Sequence, residues 1–119
     1  MVESYSLRLD SVFSALADPT RRGMLASLAL GEKSVGELGH PFDISFAGAA
    51  KHVKVLENAG LIHRRKAGRK QMCSLRAEPL KDATLWTEQF RQNWEARFSA
   101  LDSLLDEMKS EERSRKRRS

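Results

Sequence analysis

The chain has 119 residues, 40% of them hydrophobic and 31% charged, with a net charge of +5 and a single cysteine. That length suits one core, and no apolar run approaches the ~20 residues that span a bilayer, which argues against a multidomain enzyme and a helical membrane protein. Cys73 alone excludes an intrachain disulfide, and Met1 to Ser6 lack the basic start and apolar stretch of a secretory signal, so the expected location is the cytoplasm.

In chain order, residues 1–6 read as a flexible N-terminus, and one folded domain is expected over 7–109. Leu9, Val12, Phe13 and Leu16 recur at three- and four-residue steps, one face of a first helix over 7–17. Asp18-Pro19 supplies an N-cap acceptor and a proline at the first helical position, opening a second helix through Met24, Leu25 and Leu28 that Gly31 stops. Ser34-Val35-Gly36-Glu37 has the spacing of a reciprocal capping box, so a short third helix begins there and ends near Pro41. After a turn over 39–44, Ser45 caps a fourth helix to about Asn58, and Gly60 takes the left-handed conformation that ends it.

Leu61 to Arg65 and Lys70 to Leu75 form two strand-like runs around Gly68, a hairpin with the position of a wing. The last helix, over 79–109, carries Leu80, Ala83, Trp86, Phe90, Trp94, Phe98, Leu101, Leu105 and Met108 on one stripe. At ~1.5 Å per residue it exceeds the span of a small domain, so part of the stripe needs a partner. Residues 110–119 contain no apolar side chain and are expected to be a disordered basic tail. The fold class is therefore mainly α (α+β), a winged helix-turn-helix of five helices with a β-hairpin between the fourth and fifth.

The charge is concentrated within this frame. Residues 44–76 hold 8 basic groups and 1 acidic (Glu57), whereas residues 77–112 hold 4 basic and 9 acidic. A basic block beside acidic flanks suits a surface that meets a polyanion, here double-stranded DNA. The candidate DNA-binding residues are Ser45, Phe46, Ala47, Ala50, Lys51 and Lys54 on the fourth helix, with Arg64, Arg65, Lys66, Arg69 and Lys70 on the hairpin. Small side chains let a helix approach base edges, alanine methyls or Phe46 can touch thymine methyls, and the cations contact phosphates. The same residues also fit a solvated helix face and a hairpin that blunts edge-to-edge pairing. Cys73 alternates onto the face of Leu75 and reads as a packed residue.

Leu16-Ala17-Asp18-Pro19-Thr20-Arg21-Arg22, with the run from Lys51 to Ile62 and the basic hairpin, resembles the ArsR/SmtB family of bacterial repressors over residues 7–108. The resemblance implies a homodimer on an imperfect palindromic operator, with the fourth helix in the major groove. It also implies a dimer interface from the first and last helices, which here assigns Leu9, Val12, Phe13, Phe90, Trp94, Phe98, Leu101 and Leu105. Two features depart from the family. The third helix lacks paired cysteines and the last helix has no Asp-x-His pattern, while His40, His52 and His63 lie on different elements, so no metal and no cofactor are expected. Phe46, Ala47 and Ala50 stand where relatives often carry Gln and Ser. No enzymatic motif occurs, and no residue pattern identifies a small-molecule effector. Alternatives to an autonomous repressor are a thiol-responsive regulator using Cys73 and a protein-interaction module that no longer reads DNA.

Overall fold

The computed structural model describes the backbone of residues 2–118 and the side chains of residues 8–117. The element order is α1 (Val2–Leu16), α2 (Pro19–Leu28), β1 (Lys33–Ser34), α3 (Val35–Gly39), a 3-10 turn (His40–Phe42), α4 (Phe46–Asn58), β2 (Ile62–Ala67), β3 (Lys70–Leu75) and α5 (Glu78–Arg118). Five helices and a three-stranded antiparallel sheet of order β1-β3-β2 make a winged helix-turn-helix, as the sequence implies.

Capping chemistry sets most boundaries. The Asp18 carboxylate accepts the Arg21 backbone N–H at 3.0 Å and starts α2 with Pro19 at its first position. Arg21 then reaches back, donating from Nε to the Ala15 carbonyl at 2.8 Å and from Nη2 to the Ser14 carbonyl at 3.0 Å, while Arg22 donates to Leu16 O at 2.7 Å. The Asp-Pro-Thr-Arg-Arg run thus caps one helix and satisfies the open carbonyls of the helix before it, where cations also suit the dipole. In α3 the capping box is complete, with Ser34 Oγ accepting from Glu37 N at 3.2 Å and Glu37 Oε1 accepting from Ser34 N at 3.1 Å. Ser45 Oγ accepts from Gly48 N at 3.0 Å and opens α4.

Leu9, Val12, Met24, Leu38, Val53, Leu56, Leu61 and Cys73 meet in one buried cluster. Gly39 lets α3 and α4 cross tightly: a Cβ on it would lie 2.6 Å from the Ala49 Cβ. Gly60 (φ 76°) ends α4 and Gly68 (φ 62°) turns the wing, both in the left-handed region that glycine enters without strain.

Three boundaries differ from the sequence reading. β1, which pairs Lys33 with Cys73 and Ser34 with Met72, is too short to show a periodicity. At the N-terminus, expected to be flexible over 1–6, α1 is already helical from Val2, and Met1 lies outside the described residues. At the other end α5 continues through the segment expected to be a disordered tail, to Arg118, with Ser119 outside the described residues. The physical reason lies in ion pairs one turn apart, Glu111 to Arg115 at 3.9 Å and Glu112 to Lys116 at 3.8 Å. Glutamate placed N-terminal to a cation at this spacing favours helix by ~0.2–0.5 kcal/mol per pair, without apolar burial.

Residues 1–84 form one compact unit and residues 85–119 a second. The first contains the sheet, α1 to α4 and the start of α5, whose Leu80 and Ala83 pack on the core. The described part of the second is the remaining length of α5, with Trp86, Phe90, Trp94, Phe98, Leu101, Leu104, Leu105 and Met108 exposed. Two aromatic pairs lie along it, Trp86 tilted against Phe90 at 4.6 Å and Trp94 stacked on Phe98 at 5.2 Å between ring centroids.

The caps predict an acid response. The Arg21 N–H holds the Asp18 carboxyl below its ordinary value of 3.8, and the Ser34 N–H holds Glu37 below 4.5. A carboxyl depressed in the folded state contributes stability above its unfolded value and loses it as pH falls through the folded one. Denaturant midpoints should therefore hold from pH 7 to 5 and fall below about pH 4.5. An Asp18→Asn, Glu37→Gln double variant, measured over the same range, should lose less on acidification than the parent.

Candidate nucleic-acid interface

Helix α4 owes its two faces to its period: Ala49, Val53 and Leu56 are buried, while Phe46, Ala47, Lys51 and Lys54 are exposed and Ala50 is half-buried. Phe46, at the first position of the helix, keeps 69% of its surface open to solvent. Strand β2 pairs with β3 from Ile62 opposite Leu75 to Ala67 opposite Lys70, so the wing carries its cations on a regular two-stranded ribbon. Between the helix tip and the wing lies an open groove of about 480 Å³, lined by Phe46 and Ala50 of α4, Ser34, Val35 and Gly36 around the start of α3, and Arg64, Arg69, Lys70 and Gln71 of the wing.

The structure thus places Phe46, Ala50, Arg64, Arg69 and Lys70 around one groove, with the N-cap Ser45 and Ala47, Lys51 and Lys54 of α4 also exposed. The five wing cations are not equivalent. Arg64, 21% exposed at its side chain, forms a two-pronged pair with Glu57 of α4, Nε to Oε2 at 3.1 Å and Nη2 to Oε1 at 2.8 Å, and donates to Gln71 at 3.2 Å. Hydrogen bonding across this pair lowers the Glu57 pKa and raises that of Arg64, so both stay charged. Arg64 is therefore first a brace that fixes the wing against α4. Arg65 points to the other face of the ribbon and donates from Nε to Glu32 at 2.9 Å. The sequence alone suggests both as phosphate ligands and does not reveal their acidic partners. Glu57, the lone acid in the basic segment, is the visible signal for the first; Glu32 lies 33 residues away from Arg65 and leaves none.

Among the described residues, Lys51, Lys66, Arg69 and Lys70 are exposed and make no ion pair; Lys54 contacts Glu57 at 3.8 Å. Free cations gain most from phosphate because no existing pair must break. Arg69→Ala should reduce the slope of log K against log salt by roughly one unit for each phosphate it no longer neutralises, as measured by fluorescence anisotropy on a fixed DNA fragment.

One assignment changes, and the reading of Cys73 as a packed residue agrees with its burial. Leu9 and Val12, expected at a dimer interface, are 8% and 1% exposed within the chain's own core, because their side of α1 faces α2 and α4; of the α1 set only Phe13, at 36%, reaches the surface. Cys73 lies fully buried on the central strand, and desolvation pushes its thiol pKa up, so the reactive thiolate is disfavoured. His52 lies against Arg21 at 3.4 Å and Asp18 at 3.9 Å, whereas His40 and His63 are exposed. Among the described residues no three His, Cys, Asp or Glu side chains gather closely enough to hold a metal ion, and no helix is long and apolar enough to cross a membrane.

Comparison with known proteins agrees with this geometry. Residues 16–65, from the end of α1 into the wing, match a helix-turn-helix domain family. The transcriptional repressor SdpR of Bacillus subtilis is 32% identical over 82 residues, 69% of this chain and 91% of the relative. The HTH-type transcriptional regulator Rv2034 of Mycobacterium tuberculosis is 35% identical over 97 residues, 82% of this chain and 88% of the relative. The crystal structure of an ArsR family transcriptional regulator superposes with a TM-score of 0.70 at 38% identity, covering 76% of this chain and 93% of that one. With the helix-turn-helix, the basic wing and these relatives in agreement, the chain belongs to the ArsR family of winged helix-turn-helix, DNA-binding transcriptional regulators, which are not enzymes.

Proposed function

We propose that the chain is a homodimeric repressor acting on the DNA of the cytoplasm, each protomer setting α4 into the major groove of one half of an imperfect palindrome. The observation that carries this reading is the groove between α4 and the wing. Its apolar floor and cationic rim join the helix tip to a hairpin long enough to follow the neighbouring phosphate backbone. The free cations Lys51, Lys66, Arg69 and Lys70 supply the phosphate contacts, and Glu57 and Gln71 hold Arg64 so that wing and helix present one surface.

Dimerisation follows from the second unit. Phe90, Trp94, Phe98, Leu101 and Leu105 are each about half exposed along one helix, an apolar stripe that a monomer leaves in water. A second copy covers it with an identical stripe about a two-fold axis, matching the symmetry of a palindrome. Repression follows when such a dimer occupies promoter DNA, and one of the relatives above is itself a repressor.

The test is selection of genomic fragments by the purified full-length protein. The expected result is a shared imperfect palindrome with half-site centres one helical turn, about 34–36 Å, or a multiple of it apart. Fragments with no common sequence, or none retained, would overturn the proposal.

A further inference from the structure

The groove carries one feature that phosphate binding leaves unused. Phe46 begins the recognition helix with an aromatic ring that is 69% exposed, beside exposed Ala47 and half-buried Ala50. None of the three offers a side-chain hydrogen bond. A ring this exposed contributes little to the chain's own core, and the cations around it, Arg64, Arg69 and Lys70, disfavour an apolar protein partner at the same place. Side chains of an α-helix lean toward its N-terminus, so a residue at the first position projects from the tip, the part of a recognition helix that meets base edges. Among the groups lining the major groove the thymine 5-methyl is the apolar one.

We propose that Phe46 is a specificity-determining residue that reads the 5-methyl group of a thymine in each half-site, with Ala47 and Ala50 leaving room for the close approach. This rests on the operator reading above and deepens it. Discrimination at that base pair then comes from methyl burial and not from a hydrogen bond, and deoxyuridine, which differs from thymidine only in lacking the methyl, is the selective probe. Burial of one methyl corresponds to a change in affinity of about fourfold.

The experiment is uracil interference on a fragment recovered by the selection described above, with thymines sparsely replaced by deoxyuridine and the full-length protein as ligand. For the parent protein, one thymine per half-site should weaken binding about fourfold when its methyl is removed. For Phe46→Ala the interference at that position should vanish while the fragment is still bound, and interference at any other thymine should persist. The exposed position of Phe46 leaves the core untouched by this substitution. An unchanged interference pattern in Phe46→Ala, or a parent protein indifferent to every thymine methyl while still binding the fragment, would overturn the assignment and leave the operator reading standing. Failure of the parent to retain any fragment would overturn both.

Discussion

Trp94→Glu is expected to convert the protein to a monomer in sedimentation and to weaken binding to a two-half-site operator by roughly 100-fold or more. Trp94 lies midway along the exposed stripe, stacked on Phe98 at 5.2 Å, and is 59% exposed in the single chain. In a two-fold seam the substitution acts twice, bringing two carboxylates into an apolar contact where each would lose hydration without gaining a partner. The drop in affinity comes from geometry. Two linked half-sites gain ~10²–10⁴ over one because the second binding step is intramolecular, and a monomer forfeits that gain. Residues 1–84 contain the core and the residues proposed to face DNA, so the thermal transition of that unit and its weak half-site binding should persist. A dimer that survives the substitution would place the seam elsewhere than on the stripe.

The second large effect is expected from a single methyl group. In Gly39→Ala the new Cβ would sit 2.6 Å from the Ala49 Cβ and 3.5 Å from Ile44 Cγ1, at the crossing of α3 and α4. Ala49 is 1% exposed and sits among packed neighbours, so the helices must separate by a few tenths of an ångström or more. Overpacking of this kind costs ~1–3 kcal/mol, read as a lowered denaturant midpoint with an unchanged m-value. The same shift moves α4, the proposed recognition helix, relative to the wing, so DNA affinity should drop even where the variant remains folded. Adding Ala49→Gly removes the colliding atom. The double variant should recover part of the stability, less the ~0.5–1 kcal/mol that glycine costs inside a helix. Gly36→Ala is the control: its Cβ meets nothing within 4 Å, and stability should not fall.

Much of this fold is legible in the residues because local chemistry sets the boundaries. Asp18-Pro19, Ser34 with Glu37, and Ser45 announce three helix starts that the structure places at Pro19, Val35 and Phe46. Gly60 and Gly68 mark the two left-handed positions flanking the first wing strand. Features that depend on distant parts of the chain are not legible. Periodicity shows that α1 has an apolar side, but Leu9, Val12 and Phe13 fall close together on it. Only the packing of α2 and α4 decides that the first two are core and the third is surface. Five cations in the wing look alike until Glu57 and Glu32 are placed beside Arg64 and Arg65. The helical end of α5 is hidden for a different reason: it buries nothing, so the apolar pattern is silent, and its support lies in charge spacing.

The division of labour among the cations is also what ties the site to the function. Arg64 and Arg65 are braced by Glu57 and Glu32, whereas Lys51, Lys66, Arg69 and Lys70 make no ion pair among the described residues and leave exposed charge for a partner. A protein-interaction module built on the α5 stripe would have no use for that arrangement.

The most direct test is the salt dependence of binding by the full-length protein to a selected fragment and to a shuffled one. Lys51, Lys66, Arg69 and Lys70 on each of two protomers predict a fall of log K with log salt of slope up to about −7 on the selected fragment, at ~0.9 per phosphate neutralised, with the shuffled fragment weaker at every salt concentration. Binding that is independent of salt, or equal on the two fragments, would contradict a sequence-reading DNA interface in this chain.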